Sequence, residues 1–214
     1  MQNYIEHKFS TIIRKRSSES YPLTRAKFFF TSLFIIGCIL GYTAFTINSS
    51  SFSSTHIIYI EHHIKAISST STSLAQSFID VIKLSKTDIC HLFFVFIAGF
   101  TYFCFPVTGA IVFAKGFMLS FSLMYINLAP SAMASADKNI FFWCFCFTRI
   151  FIGITTVVLA SETYVFSYDF RAIKQNFSIL RRSSVTYKFI FIFLKSLGGC
   201  LLLNYIYYSI IKLL

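Results

Sequence analysis

Three basic residues stand inside long apolar stretches of this sequence: Lys115, Arg149 and Lys195. A charge at the centre of a bilayer costs about 2.5–3.5 kcal/mol on insertion scales, so such residues face a bundle interior or water. Lys115 lies about 9 Å past Gly109 at 1.5 Å per residue, and Lys195 lies seven residues after Lys188 on the same side, so both are placed to snorkel to an interface. Arg149 is near the middle of its run. No Asp or Glu lies inside any of the apolar runs, so the expected partner of Arg149 is a carbonyl, a hydroxyl, water, a lipid phosphate or another subunit. Two readings stay open: an intramembrane polar site at Lys115, Arg149 and Lys195, or structural bases bonded to backbone and hydroxyls.

Other chemistry is sparse. Glu61-His62-His63 groups an acid with histidines, but adjacent residues on a helix point in different directions. Cys38, Cys90, Cys104, Cys144, Cys146 and Cys200 all lie in or at the ends of apolar runs. Cys144 and Cys146 form C-x-C with no histidine beside them, which reads as small apolar packing rather than metal or redox chemistry. H-E-x-x-H, P-loop, G-x-S-x-G and Gly-rich dinucleotide patterns are missing. The expectation is no catalytic set, no metal site, no cofactor and no enzyme.

The elements that must position these residues are five apolar runs, at about 28–47, 89–105, 107–128, 140–160 and 189–211. A hydrocarbon core takes about 20 apolar residues per helix. Among 214 residues, 56% are hydrophobic and only 13% charged, half the share of an average soluble domain. The reading is all-α: a polytopic membrane helix bundle of about five transmembrane helices, with an extracytoplasmic amphipathic helix. Residues 1–27 form a basic N-terminal segment and 28–214 the membrane domain. The first run is longer than a signal-peptide core and is followed by Asn48-Ser49-Ser50 rather than a small-residue cleavage site, so it reads as a retained helix. That tripeptide and Asn176-Phe177-Ser178 match the glycosylation sequon, a short pattern of low specificity.

The formal net charge of +11 does not call for nucleic acid, because the basic residues are distributed by side. Lys8, Arg14, Lys15, Arg16, Arg25 and Lys27 precede the first run, and Arg171, Lys174, Arg181, Arg182 and Lys188 lie between the fourth and fifth. Lys65, Lys83, Lys86, Lys138 and Lys212 fall on the opposite side. The positive-inside rule then puts the N-terminus in the cytoplasm and the C-terminus outside a cell membrane.

Residues 48–88 become the largest extracytoplasmic segment. Within it Leu74, Phe78 and Ile82 recur every four residues, opposite Gln76, Asp80, Lys83 and Lys86. This amphipathic pattern suits a helix on the lipid surface, over the bundle, or docked to a partner. Between the second and third runs, Pro106 and Gly109 predict a tight turn, with Gly99 and Gly116 allowing an antiparallel hairpin to pack closely.

That hairpin resembles the stage II sporulation protein M family of spore-forming Gram-positive bacteria. The matching residues are Ala98-Gly99, Pro106, Phe113-Ala114-Lys115-Gly116-Phe117 and Met118-Leu119-Ser120-Phe121-Ser122. The family shows an L-x-G helix, a G-x-P turn and a K/R-G-F-x-x-G-F run. Here Ser120 replaces a frequent Gly and Phe105 the small residue before Pro. Agreement covers about residues 80–125, and the C-terminal half agrees in hydropathy only. The resemblance implies a non-enzymatic membrane scaffold acting in forespore engulfment. It would localise peptidoglycan-degrading partners resembling stage II sporulation proteins D and P. A small transporter or lipid-handling protein with an internal basic site is the alternative.

Overall fold

A computed structural model of the chain describes residues 21–48, 74–128, 135–175 and 179–213. Among them everything outside the turn at 99–103 is helical, as backbone that must satisfy its own hydrogen bonds in lipid requires. The helices are α1 (Tyr21–Asn48), α2 (Leu74–Ala98), α3 (Cys104–Leu128), α4 (Ser135–Gln175) and α5 (Ile179–Leu213). Four of them, α1, α3, α4 and α5, are long and apolar enough to cross a membrane. The protein is therefore a multi-pass membrane helix bundle, in agreement with the sequence.

The second helix differs from expectation. The amphipathic stretch at 74–84 and the second apolar run are one continuous helix, with Asp80, Lys83, Lys86 and Asp88 in its first two thirds. Its inward face is Val81, Ser85, Asp88, Leu92 and Val95, all buried. This three–four spacing is that of a packed helix seam. Val81 packs among Ile126, Phe141, Tyr207 and Tyr208 at one end of the bundle. Phe96 stacks on Phe189 and Phe193 at the other. The helix thus runs the length of the bundle.

The turn also sits elsewhere. Gly99 and Thr101 close it by donating to the carbonyls of Phe96 and Ala98, and Thr101 Oγ1 adds a second bond to Ala98 at 2.9 Å. Pro106 is not at the turn but in the first helical turn of α3, where an N–H has no intrahelical partner to lose. Gly109 lies inside α3, with a methyl of Leu33 on α1 nearest to it.

Gly116 faces α1 rather than the hairpin partner α2. A Cβ there would overlap the carbonyl oxygen of Phe34 and come within 3.1 Å of the Cys38 nitrogen. Gly37 and Gly41 meet the Phe113 and Phe117 carbonyls in return. Backbone-to-backbone approach through Gly37-x-x-x-Gly41 is how membrane helices associate without a hydrophobic drive. α4 touches all four other helices and is the most buried span.

Exposed aromatics Tyr102, Phe103, Tyr168 and Tyr187 ring the 99–103 end, close to exposed Arg25, Lys27 and Lys188. Ring contacts joining Phe29 to Phe105, Phe105 to Tyr164 and Phe166 to Phe189 bring these levels together. Tyrosines with flanking bases mark a membrane–water interface.

Candidate functional site

The buried side chains form two apolar clusters. One contains Leu92, Val95, Val112, Ile152 and Cys200; the other contains Val81, Ile126, Phe141 and Tyr207. A polar layer separates them. Asp88 falls between Val81 and Leu92 on α2, Arg149 between Phe141 and Ile152 on α4, and Asn204 between Cys200 and Tyr207 on α5. Lys115 enters from α3, one turn past Val112. Asp88 is twelve residues from Phe100, so the layer is about 18 Å inside the aromatic ring.

Asp88 is the centre of the layer. Lys115 Nζ donates to its Oδ1, and Arg149 Nη1 donates to its Oδ2 at 2.7 Å. Asn204 Nδ2 reaches Oδ2 at 3.5 Å and also donates to the Cys200 carbonyl at 3.1 Å. The Arg149 guanidinium lies 5.4 Å from the centre of the Phe145 ring. The Tyr207 ring packs against Phe145 and Phe141. Asp88 is 2% exposed, Asn204 0% and Tyr207 2%. One carboxylate therefore ties α2 to α3 and α4, with α5 at hydrogen-bonding range.

The expectation that Arg149 has no acidic partner is corrected: Asp88 lies just before the second apolar run, but the helix carries it into the bundle. Lys115 and Arg149 are brought together as expected of an internal polar site. Lys195 is not; it faces outward on α5, away from the layer. Asp88 is the functional residue that sequence reading missed. Its signal was the seam Val81-Ser85-Asp88-Leu92-Val95, which continues without a break from the amphipathic stretch into the apolar run.

Of the predicted docking stripe, one side chain is described. Ile82 is exposed, together with Ile79, while Val81 and Ser85 face inward. The side chains of Leu74 and Phe78, the Glu61-His62-His63 cluster and Asn176-Phe177-Ser178 lie outside the described residues. Gly99 is buried against Phe189, Thr163 and Phe166, and Phe117 packs on Phe121 and along α1.

The intramembrane hydroxyls are committed locally. Ser85, Thr108, Thr156, Ser161 and Thr163 each donate to the carbonyl four residues back, at 2.6–2.9 Å. Such back-bonding satisfies a buried hydroxyl within its own helix. All six cysteines are free thiols, and no grouping of metal-ligating side chains occurs among the described residues. No protein-family model, curated protein or solved structure matches the chain.

Proposed function

We propose that this protein is a non-enzymatic membrane scaffold: a fixed helical body that presents a surface to partners at the cell envelope. The observation that carries the reading is the Asp88 clamp. Charges buried in a bilayer are stabilised only when paired and hydrogen-bonded. Here both deep bases spend that pairing on one acid that joins three helices. The clamp serves to hold helices in register.

The resemblance to the stage II sporulation protein M family extends the proposal to forespore engulfment and to capture of peptidoglycan-degrading proteins. Lys115 and Gly116, which carry much of that resemblance, have structural tasks suited to a scaffold. One closes the clamp and the other seats α3 on α1. The charge bias puts the N-terminus in the cytoplasm, and with α2 crossing alongside the four apolar spans the C-terminus lies outside. The outward Ile79 and Ile82 near the start of α2 then face the wall side. The transporter or lipid-handling alternative retains Lys115 and Arg149 but loses Lys195, and its basic site contains an acid.

The test is co-purification from sporulating cells with wall hydrolases of the stage II D and P kind. Recovery with the native chain, reduced by Phe78→Ser with Ile82→Ser at unchanged membrane abundance, is the expected result. Equal recovery of both hydrolases from cells lacking the protein would sink the scaffold reading.

A further inference from the structure

Of the three intramembrane bases, Lys195 alone stands outside the charged layer. It is exposed on the outward side of α5, among exposed Phe191, Leu194 and Leu202. It lies eight residues past Tyr187 of the aromatic ring, about 12 Å toward the membrane centre. An ammonium group at that depth must reach a counter-charge or the interface. Helical side chains lean toward the N-terminus of their own helix. For Lys195 that direction is the 99–103 end, where Lys188 is also exposed. Seven residues make almost two turns, so the two lysines share one face, about 10 Å apart along the axis. The lean of Lys195 narrows that gap toward the size of one phosphate group.

The protein itself supplies no acid to this pair. Among the described residues neither Lys188 nor Lys195 forms an ion pair. Asp88 is enclosed by Lys115, Arg149 and Asn204. His91 has those same Lys115 and Asp88 groups as its charged neighbours, and Glu162 has Lys27 of α1. Asp169 lies three residues beyond Phe166, whose ring stacks on Phe189, so it is level with Thr186 and not with Lys195. Deeper than Lys195 the face opens. Gly198 and Gly199 carry no side chain, and nothing lies within 4 Å of where a Cβ would stand on either. A notch floored by backbone results, bounded along the helix by Leu194 and Leu202.

We infer that this face of α5 seats one anionic phospholipid, with its headgroup phosphate between Lys188 and Lys195 and an acyl chain over Gly198. Charge complementarity selects the occupant. A zwitterionic lipid brings its own ammonium, which competes with the lysines for the phosphate. A second copy of the chain, related by an axis along the membrane normal, would set Lys195 of each copy at the same depth, like charge against like. A lipid whose headgroup has a phosphate and no cation, as in phosphatidylglycerol, satisfies both lysines and covers the notch. The site is independent of the scaffold reading, because it uses neither the Asp88 clamp nor the outward face of α2.

The experiment uses the full chain in nanodiscs of phosphatidylcholine with a minority of phosphatidylglycerol. Lipids that stay on the chain after release into detergent are counted by native mass spectrometry. Phosphatidylglycerol should be enriched over phosphatidylcholine by about fivefold or more, the factor that one lysine at an anionic surface contributes. Lys188→Gln with Lys195→Gln should bring the enrichment to about one. Lys83→Gln with Lys86→Gln removes the same charge from exposed positions on α2 and should leave the enrichment intact. Gly198→Leu fills the notch without touching the rest of the fold, so it should reduce retained phosphatidylglycerol while Tm in detergent holds. No enrichment on the native chain, equal loss in the two lysine pairs, or retention unchanged by Gly198→Leu overturns the site. A dimer that Gly198→Leu dissociates would put a second copy on this face and overturns it as well.

Discussion

Replacing Gly116 with alanine adds one methyl group at the place where α1 and α3 come closest. The new Cβ would overlap the Phe34 carbonyl oxygen, lie 3.0 Å from the carbonyl carbon and 3.1 Å from the Cys38 nitrogen. These are backbone atoms, and no rotamer change relieves them. The helices must separate by about 1 Å, which also loosens the reciprocal contacts at Gly37 and Gly41. Overpacking of this kind costs about 1–3 kcal/mol, and alanine's better helix propensity returns at most about 1 kcal/mol. The net expectation is a loss of about 1 kcal/mol, or roughly 2–4 °C in Tm for a chain of this size. Gly198→Ala is the internal control. Nothing lies within 4 Å of a Cβ at Gly198, so only the propensity gain remains and stability should hold or rise slightly. Thermal unfolding of both variants in the same detergent measures the difference. An unchanged Tm for Gly116→Ala, or equal losses at both glycines, would refute close backbone packing between α1 and α3.

Gly116→Leu should reduce membrane abundance more than Ser120→Leu, because Ser120 is half-buried and already has a Cβ where Gly116 has backbone against it; quantitative blotting of membrane fractions compares them. Ile79→Ser with Ile82→Ser should change unfolding stability by less than about 1 kcal/mol, since both side chains are exposed; a large loss would place them inside the fold. In intact cells an impermeant thiol reagent should label Thr70→Cys and not Ser20→Cys in a chain lacking its native cysteines; the opposite pattern inverts the proposed orientation.

The helices, their apolar character and the multi-pass class were legible because lipid leaves the backbone little choice beyond the helix. The turn was placed too late. Pro106 reads as a breaker, but proline is well tolerated in a first helical turn, and the change of direction comes at 99–103. Gly116 was legible as a packing residue and not as a contact of α1, since spacing within one helix does not say which neighbour it meets. Its counterpart signal was Gly37-x-x-x-Gly41 in the first run. Half of the candidate site was legible. Lys115 and Arg149 stand out because charge is rare in apolar sequence. Asp88 does not, because it sits among Lys83, Lys86 and Thr87, a setting that looks aqueous until the helix phase of Val81, Ser85 and Leu92 is followed through it. Lys195 shares the composition signal of the other two but occupies the outward face of α5.

Asp88 is the shared counter-charge of Lys115 and Arg149, and a second-site rescue tests this most directly. Removing one partner of a buried ion pair costs about 3–5 kcal/mol, because an uncompensated charge is left behind. Asp88→Asn should therefore be the most damaging single change in the layer. Adding Lys115→Met to it removes one of the stranded positive charges. Unfolding of the single and double variants in lipid nanodiscs should show the double variant more stable than Asp88→Asn alone, with a coupling of at least about 1 kcal/mol. A double variant whose loss equals the sum of the two single losses would contradict the clamp.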